Sequence, residues 1–227
     1  MKSILILSLF AASLSYAAWQ DFEEVRELRL ESDGIAELSI DAGAGALEIE
    51  GVDGANSVQV TATIVVPDRN ADEAAEVIAK YLKLSLVRDG NRAKLLARFD
   101  QPSLSFAESP RINLQIDDGS GAIDIRDVRA AVNIDDGSGG VTLKNVAGPV
   151  RLDDGSGSIR IENVDFDVHV IDGSGSIDIS GVKGSVTIDD GSGGIEVRDV
   201  GQDLVILDDG SGRVKYSRIL GKVDDRS

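Results

Sequence analysis

The sequence predicts an all-β fold: a single-stranded parallel β-solenoid (a β-helix or β-roll) of 18-residue coils, with one helix inserted near its N-terminal end. Three observations carry this expectation. First, Gly-Ser-Gly begins at Gly119, Gly137, Gly155, Gly173, Gly191 and Gly210. The interval is constant through Gly191 and longer by a single position at the final step. Self-similarity at a fixed period is the signature of repeat architectures. Second, columns aligned on that first Gly are aliphatic. Three residues before it stand Ile116, Ile134, Leu152, Val170, Ile188 and Leu207, and five before it stand Leu114, Val132, Val150, Val168, Val186 and Val205. Four after it stand Ile123, Val141, Ile159, Ile177, Ile195 and Val214, six after it Ile125, Leu143, Ile161, Ile179, Val197 and Tyr216, and nine after it Val128, Val146, Val164, Val182, Val200 and Ile219. Third, the intervening positions are polar and varied, as in Asp124, Thr142, Arg160, Asp178, Glu196 and Lys215. Apolar–polar alternation is the period of a half-buried strand, and β-branched side chains suit such a surface.

Each coil therefore holds two short strands separated by the Gly-Ser-Gly turn, with a third inward residue at a further corner. A single coil buries too few side chains to offset the entropy of ordering its whole length, so stability must come from stacking on neighbours. A left-handed hexapeptide helix has the same coil length, but it needs an aliphatic residue at every sixth position. Here the third position after the Gly is Ala122, Gly140, Ser158, Ser176, Gly194 or Arg213.

Upstream of the array, Leu38, Ile40, Gly43, Gly45, Leu47, Ile49 and Val52 match the columns in weaker form. Residues 36–60 form a degenerate coil on this reading, with Val58 and Val60 starting the next pass and the strand ending near Pro67. Asp68 to Lys83 is the one helical stretch: Asp72 and Glu73 favour the helix start, and Ala74, Val77, Ile78, Tyr81 and Leu82 recur on one face. Leu84 to Val87 and Lys94 to Ala97 read as a hairpin around Asp89-Gly90-Asn91, and residues 100–110 as a link. The chain thus divides into a signal peptide at 1–17, a capping part at 18–110 and the regular repeats at 111–227. Trp19 and Phe22 are expected to pack on the first coil.

Residues 1–17 have the form of a secretory signal: Lys2, an apolar run from Ile4 to Leu14, and small residues at Ser15 and Ala17, with cleavage after Ala17. The expected location is periplasmic or secreted. No later segment is long and apolar enough to span a bilayer as a helix. With no Cys, the chain carries neither a disulfide nor a lipid-modifiable thiol. Lys plus Arg number 23 against 40 Asp plus Glu, a net charge of −17. That balance argues against nucleic acid and against adsorption to anionic lipid, and favours cations or basic partners.

The signal segment, the Gly-Ala-Gly coil at 43–45, the helical insertion at 70–83 and the Asp-Asp-Gly-Ser-Gly coils together resemble the bacterial putative-adhesin β-solenoid family, over about residues 20–225. The resemblance implies interaction at the cell envelope and supplies no catalytic residue.

The acidic turns are the candidate chemistry. Asp118, Asp136, Asp154, Asp172, Asp190 and Asp209 immediately precede the Gly, and Asp117, Asp135, Asp153, Asp189 and Asp208 stand one further back, with Ile171 breaking that row. On the surface of stacked coils they would set like charges about 4.8 Å apart. A bridging cation such as calcium would relieve that repulsion, as would water. Alternatively, each Asp accepts hydrogen bonds from turn amides, as in an Asx turn. The calcium β-roll pattern places its Asp after the glycines, where this chain has Ile123, Val141 and Ile159. A phosphate cradle is disfavoured because each turn is followed by a strand and preceded by carboxylates. Polysaccharide hydrolysis needs one distinguished carboxylate pair, and here every coil carries the same pair. The one His, His169, faces outward, and the turn Ser residues lack a base. Phe166 stands at a corner where most other coils have Gly or Ala. The leading expectation is an exported, non-enzymatic, adhesin-like structural or interaction module whose partner is a protein or envelope polymer. A calcium-binding solenoid comes next and a polysaccharide-active enzyme after that.

Overall fold

A computed structural model describes residues 22–43, 47–50, 56–66, 70–98 and 112–226. The expected signal segment, Trp19 and the 100–110 link lie outside the described residues. The elements begin with β1 (Phe22–Glu31), β2 (Glu37–Ala42), β3 (Leu47–Glu50), β4 (Ser57–Val66), α1 (Ala71–Tyr81), β5 (Lys83–Asp89) and β6 (Arg92–Arg98). Strand pairs then form the coils: β7 (Asn113–Asp118) with β8 (Gly121–Arg126), β9 (Val132–Asp136) with β10 (Gly139–Val146), and β11 (Val150–Asp154) with β12 (Gly157–Val164). They continue as β13 (Val168–Asp172) with β14 (Gly175–Val182), β15 (Val186–Asp190) with β16 (Gly193–Val200), and β17 (Leu204–Asp208) with β18 (Arg213–Ile219), before β19 (Val223–Asp225).

The strands before the turns stack into one sheet and those after it into another. The first runs β19-β17-β15-β13-β11-β9-β7-β2-β6-β5 and the second β18-β16-β14-β12-β10-β8-β3. Every neighbour in both sheets is parallel except the β5–β6 hairpin. Pairing is residue for residue at the repeat: Val141 faces Ile159, which faces Ile177, which faces Ile195. The five aliphatic columns are buried between the sheets from Leu114 to Val200. A fully buried side chain of this size contributes about 1.5–3 kcal/mol, so each added coil deepens one continuous core.

The turn explains its own composition. Its amides and carbonyls bond from coil to coil, as in Gly155 N–H to Asp136 O (2.8 Å) and Gly157 N–H to Ser174 O (2.9 Å). The second Gly of the turn holds φ between 142° and 149° at Gly139, Gly157, Gly175 and Gly193, and an added Cβ would lie 1.4–1.6 Å from a carbonyl oxygen of the coil below. No side chain fits there.

Three expectations need correction. Val58 and Val60 do not begin a second pass. They belong to β4, which pairs antiparallel with β1 along its whole length, outside both large sheets. The ribbon's inner residues join the core cluster, with Val58, Val60, Ala62 and Ile64 buried. In the sixth coil the inward pair is Leu204 and Ile206, not Val205 and Leu207. The extra residue is taken up as a bulge between Ile206 and Asp208, so Leu204 stays opposite Val186 and Ile206 opposite Ile188 while Leu207 turns out. Tyr81 lies off the helix's covered strip: Ala74 and Ile78 are buried, while Tyr81 is exposed with the Lys80 ammonium 4.8 Å above its ring.

The helix starts where Asn70 caps it, its side-chain oxygen accepting the Glu73 N–H at 3.0 Å. The hairpin β5–β6 forms as read, and β6 lies beside β2, so β2 of the degenerate coil has the array on one side and the hairpin on the other, while among the described residues β3 pairs only with β8.

Candidate functional site

Alternation along β7 puts Leu114 and Ile116 inside, and Asp118 shares their parity. The same holds at Asp136, Asp154, Asp172 and Asp190. All five are buried, with relative exposure of 0–3%. The acidic turn is therefore half internal: the inner Asp of each pair points into the core's edge, and only the outer row, as at Asp117, Asp135 and Asp153, faces solvent. This corrects the expectation that both rows lie on the surface. Asp209 does not join the buried row. The bulge leaves it half-buried, and Asp208 instead accepts the Gly210 N–H at 2.9 Å.

Each inner carboxylate is held by its own turn. The Oδ1 atoms of Asp136, Asp154, Asp172 and Asp190 accept the N–H of the Ser two residues on, at 3.0–3.2 Å. This is the Asx-turn geometry. The Oδ2 atoms of these four, and both oxygens of Asp118, are buried without a hydrogen-bond partner. Loss of water around such a group disfavours its charged form. Burial pushes Asp118 up to about 7, helped by the neighbouring Asp136 charge. Burial likewise raises Asp136 and Asp172 to about 6, opposed by the Ser138 and Ser174 amides. Asp154 and Asp190 are raised by the same cause. A proton on Oδ2 removes the charge that burial disfavours.

Calcium takes six to eight oxygen ligands at about 2.3–2.6 Å. The row offers one free carboxylate oxygen per coil in four of its coils and two at Asp118, and its members are separated by the strand spacing of about 4.8 Å. Among the described residues no three His, Cys, Asp or Glu side chains converge on a metal-sized point.

A second ladder lies outside the residues singled out from the sequence. Eight positions after the first Gly stand Asp127, Asn145, Asn163, Gly181, Asp199 and Arg218, all with φ between 56° and 71°. Each sits at a left-handed kink that carries the chain from its second strand to the Val corner. The Asn145 amide donates to Asp127 Oδ1 at 2.8 Å, and the Asn163 amide donates to Asn145 Oδ1 at 3.0 Å. The signal was the residue type, since Asn, Asp and Gly tolerate that conformation best. Beside this ladder an open groove of about 460 Å³ is lined by Asp127, Arg129, Asn145, Asn163 and Asp165.

The outer faces carry ion pairs that cross between coils, including Lys144–Glu162 at 3.6 Å, Lys183–Asp165 at 2.7 Å and Arg198–Asp178 at 3.0 Å. His169 lies half-buried on the outer face, paired laterally with Arg151 and Thr187. Phe166 is 55% exposed at its corner, flanked in the adjacent coils by Gly148 and Gly184.

These features define a β-solenoid of stacked 18-residue coils whose longer sheet finishes on an antiparallel hairpin and whose coils share a glycine turn. The profile of the Toastrack DUF4097 family matches residues 55–219, most of the sequence, and the chain belongs to that family. No curated protein matches it. Among solved structures, a putative cell adhesion protein from Clostridium sporogenes is 13% identical, with 91% of this chain and 99% of that chain covered and a TM-score of 0.36. A putative adhesin from Bacteroides fragilis is also 13% identical, covering 89% and 97% at a TM-score of 0.34. One from Parabacteroides distasonis is 14% identical over the same shares at 0.33.

Proposed function

We propose that this chain is an exported, non-enzymatic interaction module of the bacterial envelope, a rigid post whose faces and end contact a protein or envelope polymer. The observation that carries this reading is the uniformity of the outer faces. Six successive windings hold their outward side chains in lateral register, with ion pairs linking neighbouring coils on both signs of charge. Such a surface is stiff before it binds, which lowers the ordering cost of association. The inner carboxylates of Asp136, Asp154, Asp172 and Asp190 do not argue for hydrolysis, because the same Asx turn holds each of them and none of the four is set apart by its partners.

The test is crosslinking in intact cells through a photoreactive residue placed on an outer face, for instance at Thr142, with identification of what is captured. A reproducible envelope protein or polymer supports the reading. Recovery of the chain from the cytoplasm with residues 1–17 still attached would remove it. Release of reducing ends from envelope polysaccharide by the purified chain would replace it with an enzyme.

A further inference from the structure

The two ends of the solenoid are built differently. At the first end, the long sheet finishes on the antiparallel hairpin β5–β6, and Ile49 in β3 is 1% exposed. At the other end, β18 pairs only with β16 and β19 only with β17, so each presents one strand edge to solvent among the described residues. Two columns that are buried in the earlier coils surface here, with Tyr216 47% and Val223 38% exposed, and the corner residue Leu220 is 82% exposed.

Charge changes at the same place. Residues 210–226 hold five basic residues (Arg213, Lys215, Arg218, Lys222 and Arg226) against two acidic ones, a net +3 in a chain of −17. Each of the five preceding coils is net neutral or negative. Arg218 is taken by Asp199 and Arg226 by Asp224. Arg213, Lys215 and Lys222 make no ion pair among the described residues and are exposed. The last described coil thus sets a basic rim around an apolar strand edge in an otherwise acidic chain.

We infer that this end face docks an acidic, extended segment of a partner protein, which adds as a further strand beside β18. The free backbone edge suits a strand, because an added strand pairs with the whole row of N–H and C=O groups at once. The inward columns accept alternate apolar side chains, as they do from every preceding coil. The rim selects acidic residues at the outward positions, next to Arg213 and Lys215. A second copy fits poorly. Two such ends meeting would set the basic rims against each other, and a head-to-tail copy would bring β3 to β18 but the β5–β6 hairpin to β19, so only one of the two sheets could continue into it. The inference deepens the interaction reading by naming the face and the partner's chemistry, and it rests on that reading.

The test uses the full mature chain and a fluorescein-labelled ten-residue peptide of alternating Val and Glu, followed by anisotropy. Saturable binding is expected. It should weaken at least tenfold in Arg213→Glu/Lys215→Glu/Lys222→Glu, whose circular dichroism should match the parent, while an alternating Val-Lys peptide gains affinity for that variant. A Val-Glu peptide N-methylated at every second residue, assayed against the unmodified protein, should also lose at least tenfold, which tests strand addition without relying on any variant. Binding insensitive to both changes, or no binding at all, overturns the inference. So does adsorption to vesicles containing phosphatidylglycerol in place of peptide binding, or concentration-dependent dimers in sedimentation. If the peptide fails while capture in cells persists from an outer face, the end face is wrong and the interaction reading stands.

Discussion

Replacing Asp136 by Asn tests the buried carboxyl row. Asp136 is 2% exposed; its Oδ1 accepts the Ser138 amide and its Oδ2 has no partner. Burial raises it to about 6, against about 3.9 for an unperturbed Asp. A group whose folded value is raised contributes its full stability below the unfolded value and loses it as pH climbs through the folded one. The window here runs from about pH 4 to pH 7. Two units at about 1.4 kcal/mol each give about 3 kcal/mol for this one side chain. The parent should therefore be more stable at pH 4.5 than at pH 8, and Asp118 and Asp172 shift in the same sense. The ion-paired Asp89, Asp199 and Asp224 are shifted down, so they lose their contribution only below that window. In Asp136→Asn the amide oxygen still accepts from Ser138, and the NH2 occupies the place of Oδ2 without a charge. The variant should gain about 3 kcal/mol over the parent at pH 8, or about 6–12 °C in thermal midpoint for a chain this size, and only about 1 kcal/mol at pH 4.5, where the unfolded carboxyl is already mostly ionised. Thermal unfolding by circular dichroism at the two pH values measures both. A parent with equal midpoints at pH 4.5 and 8, or a variant less stable than the parent at pH 8, would refute the reasoning.

Four further outcomes follow from the same geometry. Gly157→Ala should lower the midpoint by more than 10 °C or prevent folding, because its Cβ would lie 1.4 Å from the Gly139 carbonyl oxygen at φ +149°; a midpoint within 2 °C of the parent would show that the turn is not packed coil on coil. Asn145→Ala should cost about 2 kcal/mol through lost ladder bonds and strain at φ +56°, whereas Asn145→Gly should recover the strain part, about 1 kcal/mol, in urea titrations. Millimolar calcium should move the midpoint no more than matched magnesium, since the inner carboxylates stand in a row and do not converge on one point; a calcium-specific rise of several degrees would reinstate the cation reading. Phe166→Ser should leave stability within about 0.5 kcal/mol, because the ring is 55% exposed.

The parts of the fold that were legible are those where one physical demand recurs. Ile123, Val141, Ile159, Ile177 and Ile195 recur once per coil because each packs on the next, and a column of five is hard to misread. The sixth coil was misread because Leu204-Val205-Ile206-Leu207 is aliphatic throughout, so hydrophobicity alone does not say where the extra residue goes. Pairing with Val186 and Ile188 decides it. Strand β1 was missed because its partner β4 lies far downstream, beyond β2 and β3, and its faces mix Val25 with glutamates. The inner Asp row was legible by parity, two positions after Ile116 and its equivalents. Residue type outweighed parity, because a carboxylate is expected at the surface unless its environment neutralises it. The Asn145–Asn163 ladder was hidden for a related reason: it depends on a left-handed kink, and only the recurrence of Asn, Asp and Gly at one position announces it.

The register of the coils supports every one of these arguments, and the absence of Cys from the sequence makes it directly measurable. Thr142 and Arg160 are lateral partners in adjacent coils, and Asp178 stands opposite Arg160 one coil further on. A disulfide tolerates Cα separations of about 4.4–6.8 Å, which admits neighbours at the strand spacing and excludes residues two coils apart. Under mild oxidation, Thr142→Cys/Arg160→Cys and Arg160→Cys/Asp178→Cys should crosslink within the chain nearly completely, while Thr142→Cys/Asp178→Cys should remain reduced. Equal crosslinking of all three pairs, or crosslinking of the distant pair alone, would contradict the stacked-coil architecture.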